Sequence, residues 1–177
     1  ILRKKGFSEK EINYAIERLA KDGYLNHLMY IEAFIHDAIN LNTVGKRKIH
    51  QDLQNLGFTS KEIDSELNKI DDSIYEEKIA KYINKKLKGN KKSANEFMRK
   101  ITLDLINKGF EKENITSYLN TLEIKDNDLE IEKIVNKLYK KYINKYDLYK
   151  TKMKIMQSLY TKGYTSIDID KYLSEIE

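Results

Sequence analysis

The chain has 177 residues and a net charge of +5, with 34% charged and 40% hydrophobic residues and neither proline nor cysteine. The absence of cysteine excludes a disulfide framework and thiolate metal sites. No apolar run approaches the roughly 18 residues a membrane span needs, and no secretory core is evident. The length suits one ordinary domain or several small modules. Missing proline, against a usual share of roughly 5%, suits long helices with few rigid turns. Such a composition is expected of a protein of the reducing cytoplasm.

In chain order, the stretch from Leu2 to Leu19 reads as the end of one helix, a turn at Gly6-Phe7 and a capped second helix. Ile1 is not a methionine and Leu2 already lies on an apolar stripe, so the chain is expected to start inside a helix, with further chain upstream. Lys21-Asp22-Gly23-Tyr24 is a break. The stripe Leu28, Ile31, Phe34, Ile35 and Ala38 then predicts a helix over about 26–40, and 42–45 a loop. Helices are predicted over 46–56 and 59–70, on either side of Gly57-Phe58. Tyr75, Ile79, Tyr82, Ile83 and Leu87 form the next stripe, Gly89-Asn90 a turn, and Ala94, Phe97, Met98, Ile101 and Leu105 another helix. Ile131, Val135, Leu138 and Tyr142, then Leu148, Ile155 and Leu159, repeat that pair. Asp71-Asp72 and Asp126-Asn127-Asp128 separate the groups and are expected to cap the helices that follow.

These elements recur with a period. Gly6, Gly57, Gly109 and Gly163 lie 51, 52 and 54 residues apart. Four residues before each stands Leu2, Leu53, Leu105 or Leu159, and one after stands Phe7, Phe58, Phe110 or Tyr164. Six after is always isoleucine (Ile12, Ile63, Ile115, Ile169). Ten after are Ile16, Leu67, Leu119 and Leu173, and thirteen after are Leu19, Ile70, Leu122 and Ile176. Eight before, where the chain allows, are Ile49, Ile101 and Ile155. Offsets of i, i+4 and i+7 are helical, so each glycine sits between two apolar stripes. That is the place of a residue ending a helix in the left-handed conformation. Ser8 with Glu11 and Thr59 with Glu62 read as capping boxes, and Thr165 with Asp168 as a weaker one, whereas Glu111 with Asn114 breaks the pattern. The aromatic after the glycine is expected to plug the angle between the two helices.

The expected fold is all-α, with tandem three-helix repeats stacked as an elongated, curved solenoid. The units are 1–20, the end of a truncated first one, then 21–71, 72–124 and 125–177.

Charge is unevenly placed. Lys78 to Asn95 carries seven lysines and no acid, Lys133 to Tyr146 five lysines and no acid, and Ala38 to Gln51 holds Lys46, Arg47 and Lys48 without an acid. Helix dipoles explain part of this, since acids belong near helix starts and lysines near helix ends. They do not explain why Lys48, Lys100 and Lys154 share one repeat column on helices that are only beginning. A basic stripe repeated along a solenoid is the footprint of a polyanion or an acidic protein groove. Tyr139, Tyr142, Tyr146 and Tyr149 sit among the lysines, where some suit base stacking and most suit helix packing. His27, His36 and His50 lack the spacing of a metal pair on one helix face, and no phosphate-cradling glycine loop is present. No catalytic constellation emerges, so neither an enzyme nor a cofactor is expected.

The repeated Leu-x-x-x-Gly-Phe-x-x-x-x-Ile, with the segment Leu19-Ala20-Lys21-Asp22-Gly23-Tyr24-Leu25-Asn26-His27-Leu28-Met29-Tyr30, resembles the RecX family of recombinase regulators. In that family a helix ends in Leu-x-x-x-Gly-Tyr-hydrophobic, and an acidic pair and an aromatic open the next. Gly45-Lys46-Arg47-Lys48-Ile49, followed by Leu53 and Gly57, is similar to the family's Gly-x-x-Arg/Lys-Ile-x-x-x-Leu-x-x-Lys-Gly segment. Asn26-His27 stands in place of the acidic pair and Leu56 in place of a usual lysine. The likeness spans essentially the whole chain and is most specific over 2–70.

The resemblance implies a monomeric modulator of RecA that lies in the groove of the RecA–DNA filament, bridges protomers and suppresses strand exchange and ATP hydrolysis. DNA, single- or double-stranded, would be a weak electrostatic partner. By position, Lys46, Arg47, Lys48, Lys85, Lys86, Lys100, Lys140, Lys141 and Lys154 are the expected contacts. Two rival readings stand beside it. One is a nonspecific nucleic-acid binder, for which low arginine content argues against base reading. The other is a general protein-interaction repeat.

Overall fold

The computed structural model describes residues 2–24, 26–174 and 176, without the side chains at 167 and 168. Among the described residues all regular structure is helical. The chain divides into two compact units, Ile1–Asp72 and Ser73–Glu177.

The first unit holds α1 (Glu9–Lys21), α2 (His27–Leu41), α3 (Lys46–Asn55) and α4 (Ser60–Leu67). Helix α2 packs on both α3 and α4, which pack on each other. Ile31, Ile35 and Ile39 of α2, one helical turn apart, meet Ile49, Leu53, Ile63 and Leu67 in a core from which water is excluded. Burying each such side chain is worth roughly 1.5–3 kcal/mol. Asn26 caps α2 by accepting the Met29 amide at 3.1 Å, so this helix start is satisfied without an acidic residue. Helix α4 is shorter than its stripe predicts: Asn68 ends it, and 68–70 form a turn.

The second unit holds α5 (Ser73–Leu87), α6 (Ala94–Asn107), α7 (Lys112–Asn120), α8 (Asp128–Tyr142), α9 (Leu148–Thr161) and α10 (Ser166–Ser174). Helix α7 packs on α5 and α6, and α9 on α8 and α10. Ile131, Val135, Ile155, Leu159, Tyr164, Ile169 and Tyr172 form one core, with Leu138, Tyr139 and Tyr142 packed against it. The start of α6 docks on the turn between α9 and α10. The Ser93 hydroxyl donates to the Lys162 carbonyl at 2.6 Å and the Asn95 amide to the Gly163 carbonyl at 3.1 Å.

The four glycine turns share one geometry. Gly6, Gly57, Gly109 and Gly163 have φ of 88°, 98°, 86° and 84°. At each, the next residue's amide reaches back to the leucine carbonyl, as in Phe58 to Leu53 at 3.3 Å and Phe110 to Leu105 at 3.1 Å. The glycine amide bonds the carbonyl three back, as in Gly57 to Gln54 at 2.9 Å. This is the Schellman motif, in which the leucine and the aromatic are the two residues whose side chains meet across the helix end. Gly23 repeats it, with Tyr24 bonded to Leu19 at 2.8 Å. The capping boxes at Ser8–Glu11 and Thr59–Glu62 are formed, and Glu111 caps α7 without a side-chain bond. The box expected at Thr165–Asp168 rests on a side chain outside the described residues.

Three expectations need correction. The aromatic does not plug every turn: Phe110 and Tyr164 are buried and Phe58 half-buried, but Phe7 is 50% exposed. Leu2, Ile16 and Leu19 are likewise exposed at 43–47%, although their columns are buried or half-buried in the other repeats. A stripe of this kind is covered by the long first helix of its own triplet, as α2 covers α3 and α4, and no described helix covers α1 in that way. Before Gly6, residues 3–5 form only a 3-10 turn. Finally, Asn127 caps α8, whereas the Asp126 carboxylate takes the Ala94 amide at 2.5 Å and so caps the helix start 32 residues back.

Candidate basic interaction face

Helix α3 opens with Lys46, Arg47 and Lys48 in its first turn, where the helix dipole disfavours cations. Arg47 is exposed. Lys46 reaches Asp72 at 3.8 Å and Lys48 pairs with Asp52, one turn on, at 2.7 Å. Lys85 and Lys86 lie in the last turn of α5, where the dipole favours them.

Lys86, Lys91, Lys92 and Lys100 line a cleft of about 440 Å³ between the end of α5 and the start of α6, with Phe97 and Ile101 at its floor. Asn90 holds the turn rigid by bonding the Lys92 amide and carbonyl at 3.0 and 2.9 Å. Lys100 pairs with Glu96 at 2.7 Å. Beside the cleft, the ammonium groups of Lys86 and Lys108 lie 5.4 and 5.5 Å from the Tyr82 ring centre. The Tyr82 hydroxyl donates to Asp104 at 2.5 Å. Burial, then that carboxylate, push the Tyr82 phenol up to about 12.

The last repeat differs. Lys140 and Lys141 close α8, and α9, capped by the Asp147 carboxylate accepting the Lys150 amide at 2.7 Å, carries Lys150, Lys152 and Lys154 in its first two turns. The Lys154 ammonium lies 4.8 Å from the Tyr146 ring centre and 5.8 Å from that of Tyr142. Lys150 covers Tyr146 at 5.2 Å and Lys141 covers Tyr142 at 5.1 Å. The two rings are 6.1 Å apart and tilted by 51°.

The fold therefore brings Lys86 to Lys100 and Lys141 to Lys154. Lys85 and Lys140 point to solvent beside them, and Lys46, Arg47 and Lys48 form a group of their own on α3. Lys91, Lys92 and Lys150 join the face without having been singled out. Their signals were the Lys-Lys pair directly after the Gly89-Asn90 turn and the helical spacing of Lys150 to Lys154. The histidines are dispersed: His27 meets Glu62 at 3.2 Å, His50 meets Asp64 at 3.4 Å, and His36 meets Asn40. Among the described residues no helix is long and apolar enough to cross a membrane.

Residues 130–173, which carry this last cluster, match the family model described as RecX, third three-helix domain. A regulatory protein RecX of Streptococcus agalactiae is 33% identical over 178 residues, covering 98% of this chain and 69% of the relative. One from Oceanobacillus iheyensis is 28% identical, covering 98% and 66%. The crystal structure of RecX from Lactobacillus salivarius superposes with a TM-score of 0.62 at 22% identity, over 68% of this chain and 81% of that one. A second crystal structure of a regulatory protein RecX gives 0.57 at 19% identity, over 96% and 80%. These two show the same helical fold.

Proposed function

We propose a function from a settled premise: this chain belongs to the RecX family. That family is one of regulatory proteins, and the role proposed is inhibition of the RecA recombinase. The protein would bind in the groove of the RecA–DNA filament, bridge neighbouring protomers and hold back strand exchange and ATP hydrolysis. Its action would be steric and electrostatic, with no bond made or broken and no cofactor. The contacts proposed are Lys46, Arg47, Lys48, Lys85, Lys86, Lys100, Lys140, Lys141 and Lys154.

The observation that supports the reading is the basic start of α3, whose first turn holds Lys46, Arg47 and Lys48 without an acidic cap. Cations at a helix N-terminus work against the dipole, so they are retained at some cost to the isolated helix. A surface that gathers them attracts a polyanion. The test is the DNA-stimulated ATPase of the cognate RecA, titrated with this protein at two salt concentrations. Substoichiometric inhibition is expected, weakened by Lys85→Glu with Lys86→Glu. Undiminished ATPase on preformed filaments at both salts would sink the reading.

A further inference from the structure

We infer that the α8–α9 cluster is a stacking site for unpaired bases, so that the last triplet grips single-stranded nucleic acid through Tyr146 and Tyr142. The inference deepens the polyanion reading of the same face and rests on it.

Three observations carry it. The first is the pairing of the repeated lysine. Lys48 and Lys100 are each tied to a carboxylate at 2.7 Å. Lys154 has Lys150 and Ser158 one turn to either side and lies over two aromatic rings instead. Its charge is not cancelled locally.

The second is the placement of the rings. Tyr142 packs one side against the core of its triplet. Tyr146, two residues ahead of α9, stands where Lys92 stands ahead of α6, so the aromatic pair distinguishes this repeat from the one before. Tyr82 beside the α5–α6 cleft is likewise flanked by two lysines, but its hydroxyl is committed to Asp104, whose carboxylate sets a negative charge beside that ring and disfavours a phosphate there.

The third is the absence of arginine from residues 125–177. Groove readout of a duplex leans on arginine, whereas sequence-tolerant strand binding uses lysines that follow the backbone and aromatics that take the bases. On binding, Lys154 exchanges its ring contact for a phosphate while a base takes the ring face it vacates. Base stacking on an aromatic outweighs an exposed cation–π contact, so the exchange runs toward the bound state. A duplex, whose bases are already stacked, gains only the lysine part.

The test uses the whole chain and an oligothymidylate of about 20 nucleotides, compared with a duplex of the same length. The chain contains no tryptophan, so Tyr146→Trp introduces a sole indole. Its fluorescence should be quenched as the single strand binds, and much less with the duplex. Tyr142→Leu with Tyr146→Leu should lower single-strand affinity by about tenfold or more and leave duplex affinity within about twofold, while Tyr146→Phe keeps both. Single-strand binding without quenching overturns the inference, as does equal loss for strand and duplex. If RecA ATPase is inhibited but no oligonucleotide binds, the stacking site is wrong and the regulator reading survives. If the oligothymidylate binds with quenching and RecA is unaffected, the regulator reading falls and the stacking site stands.

Discussion

Gly163 lies against Ser93: a Cβ on the glycine would stand 2.9 Å from the serine Oγ, which is itself bonded to the Lys162 carbonyl. Gly57 has the same left-handed backbone, but nothing lies within 4 Å of where its Cβ would be. The two glycines separate backbone strain from close approach. Gly57→Ala should cost only the conformational penalty of about 1–2 kcal/mol. Gly163→Ala should cost about 1 kcal/mol more, because Ser93 must shift and its buried hydrogen bond is lost. Urea unfolding of the two variants checks this, and equal losses would show that the α6 start is not seated on the α9–α10 turn.

Thr151 presents the opposite situation. It is fully buried in α9, and its hydroxyl has no hydrogen-bond partner among the described residues. A buried hydroxyl without a partner carries its desolvation cost uncompensated. Thr151→Val, of nearly the same shape, should therefore stabilise the protein by about 1 kcal/mol. Thr151→Ser, which keeps the hydroxyl and loses the methyl, should destabilise it by a similar amount. A lower urea midpoint for the valine variant would mean that the hydroxyl is satisfied in solution.

What was legible in the sequence was local. The leucine, glycine and aromatic of each turn are the C3, C′ and C″ positions of one motif, so their spacing alone predicts the backbone at Gly57 and Gly109. The capping boxes follow for the same reason, because Thr59 and Glu62 reach only across one turn. What depends on distant neighbours was not legible. Phe7 and Phe110 occupy the same motif, yet one is half exposed and the other buried, because among the described residues only the second has the rest of a triplet around it. Proximity in the chain predicts Asp126 as a cap for the next helix. Its partner, Ala94, is brought to it by packing. The basic face followed the same division. The lysine column was visible, but whether a given lysine meets a carboxylate or a ring is decided by what the adjacent helix presents.

Glu62 joins two of those levels and gives a pH dependence. Its carboxylate is held down to about 2, first by the Thr59 hydroxyl at 2.6 Å, then by the Thr59 amide at 2.9 Å, then by His27. A depressed carboxyl contributes stability that is fully present above its unfolded value, about 4.3. The contribution fades as pH falls through the folded value. The α3–α4 turn should therefore lose this support between about pH 4 and 2. Carboxyl titration by NMR should give a midpoint near 2 for Glu62, raised more by Thr59→Ala than by His27→Ala. A larger effect from His27 would mean that the long-range contact, not the cap, controls the group.

The lysine column makes the sharpest functional prediction. Lys48 and Lys154 occupy the same repeat position, but Asp52 competes for Lys48 and no carboxylate stands one turn either way from Lys154. A lysine that neutralises a phosphate contributes roughly 0.7 to the slope of log affinity against log salt on a single strand. Lys154→Gln should remove about that much from the slope for oligothymidylate, and Lys48→Gln clearly less. Asp52→Asn should act in the opposite sense, raising affinity modestly by freeing Lys48 from a half-buried i,i+4 pair that holds it by about 0.3–0.5 kcal/mol. Fluorescence anisotropy over a salt series measures all three. Equal slopes for the two lysine variants would place the contact elsewhere than the last triplet. An unchanged affinity for Asp52→Asn would show that Lys48 does not face the strand even when released.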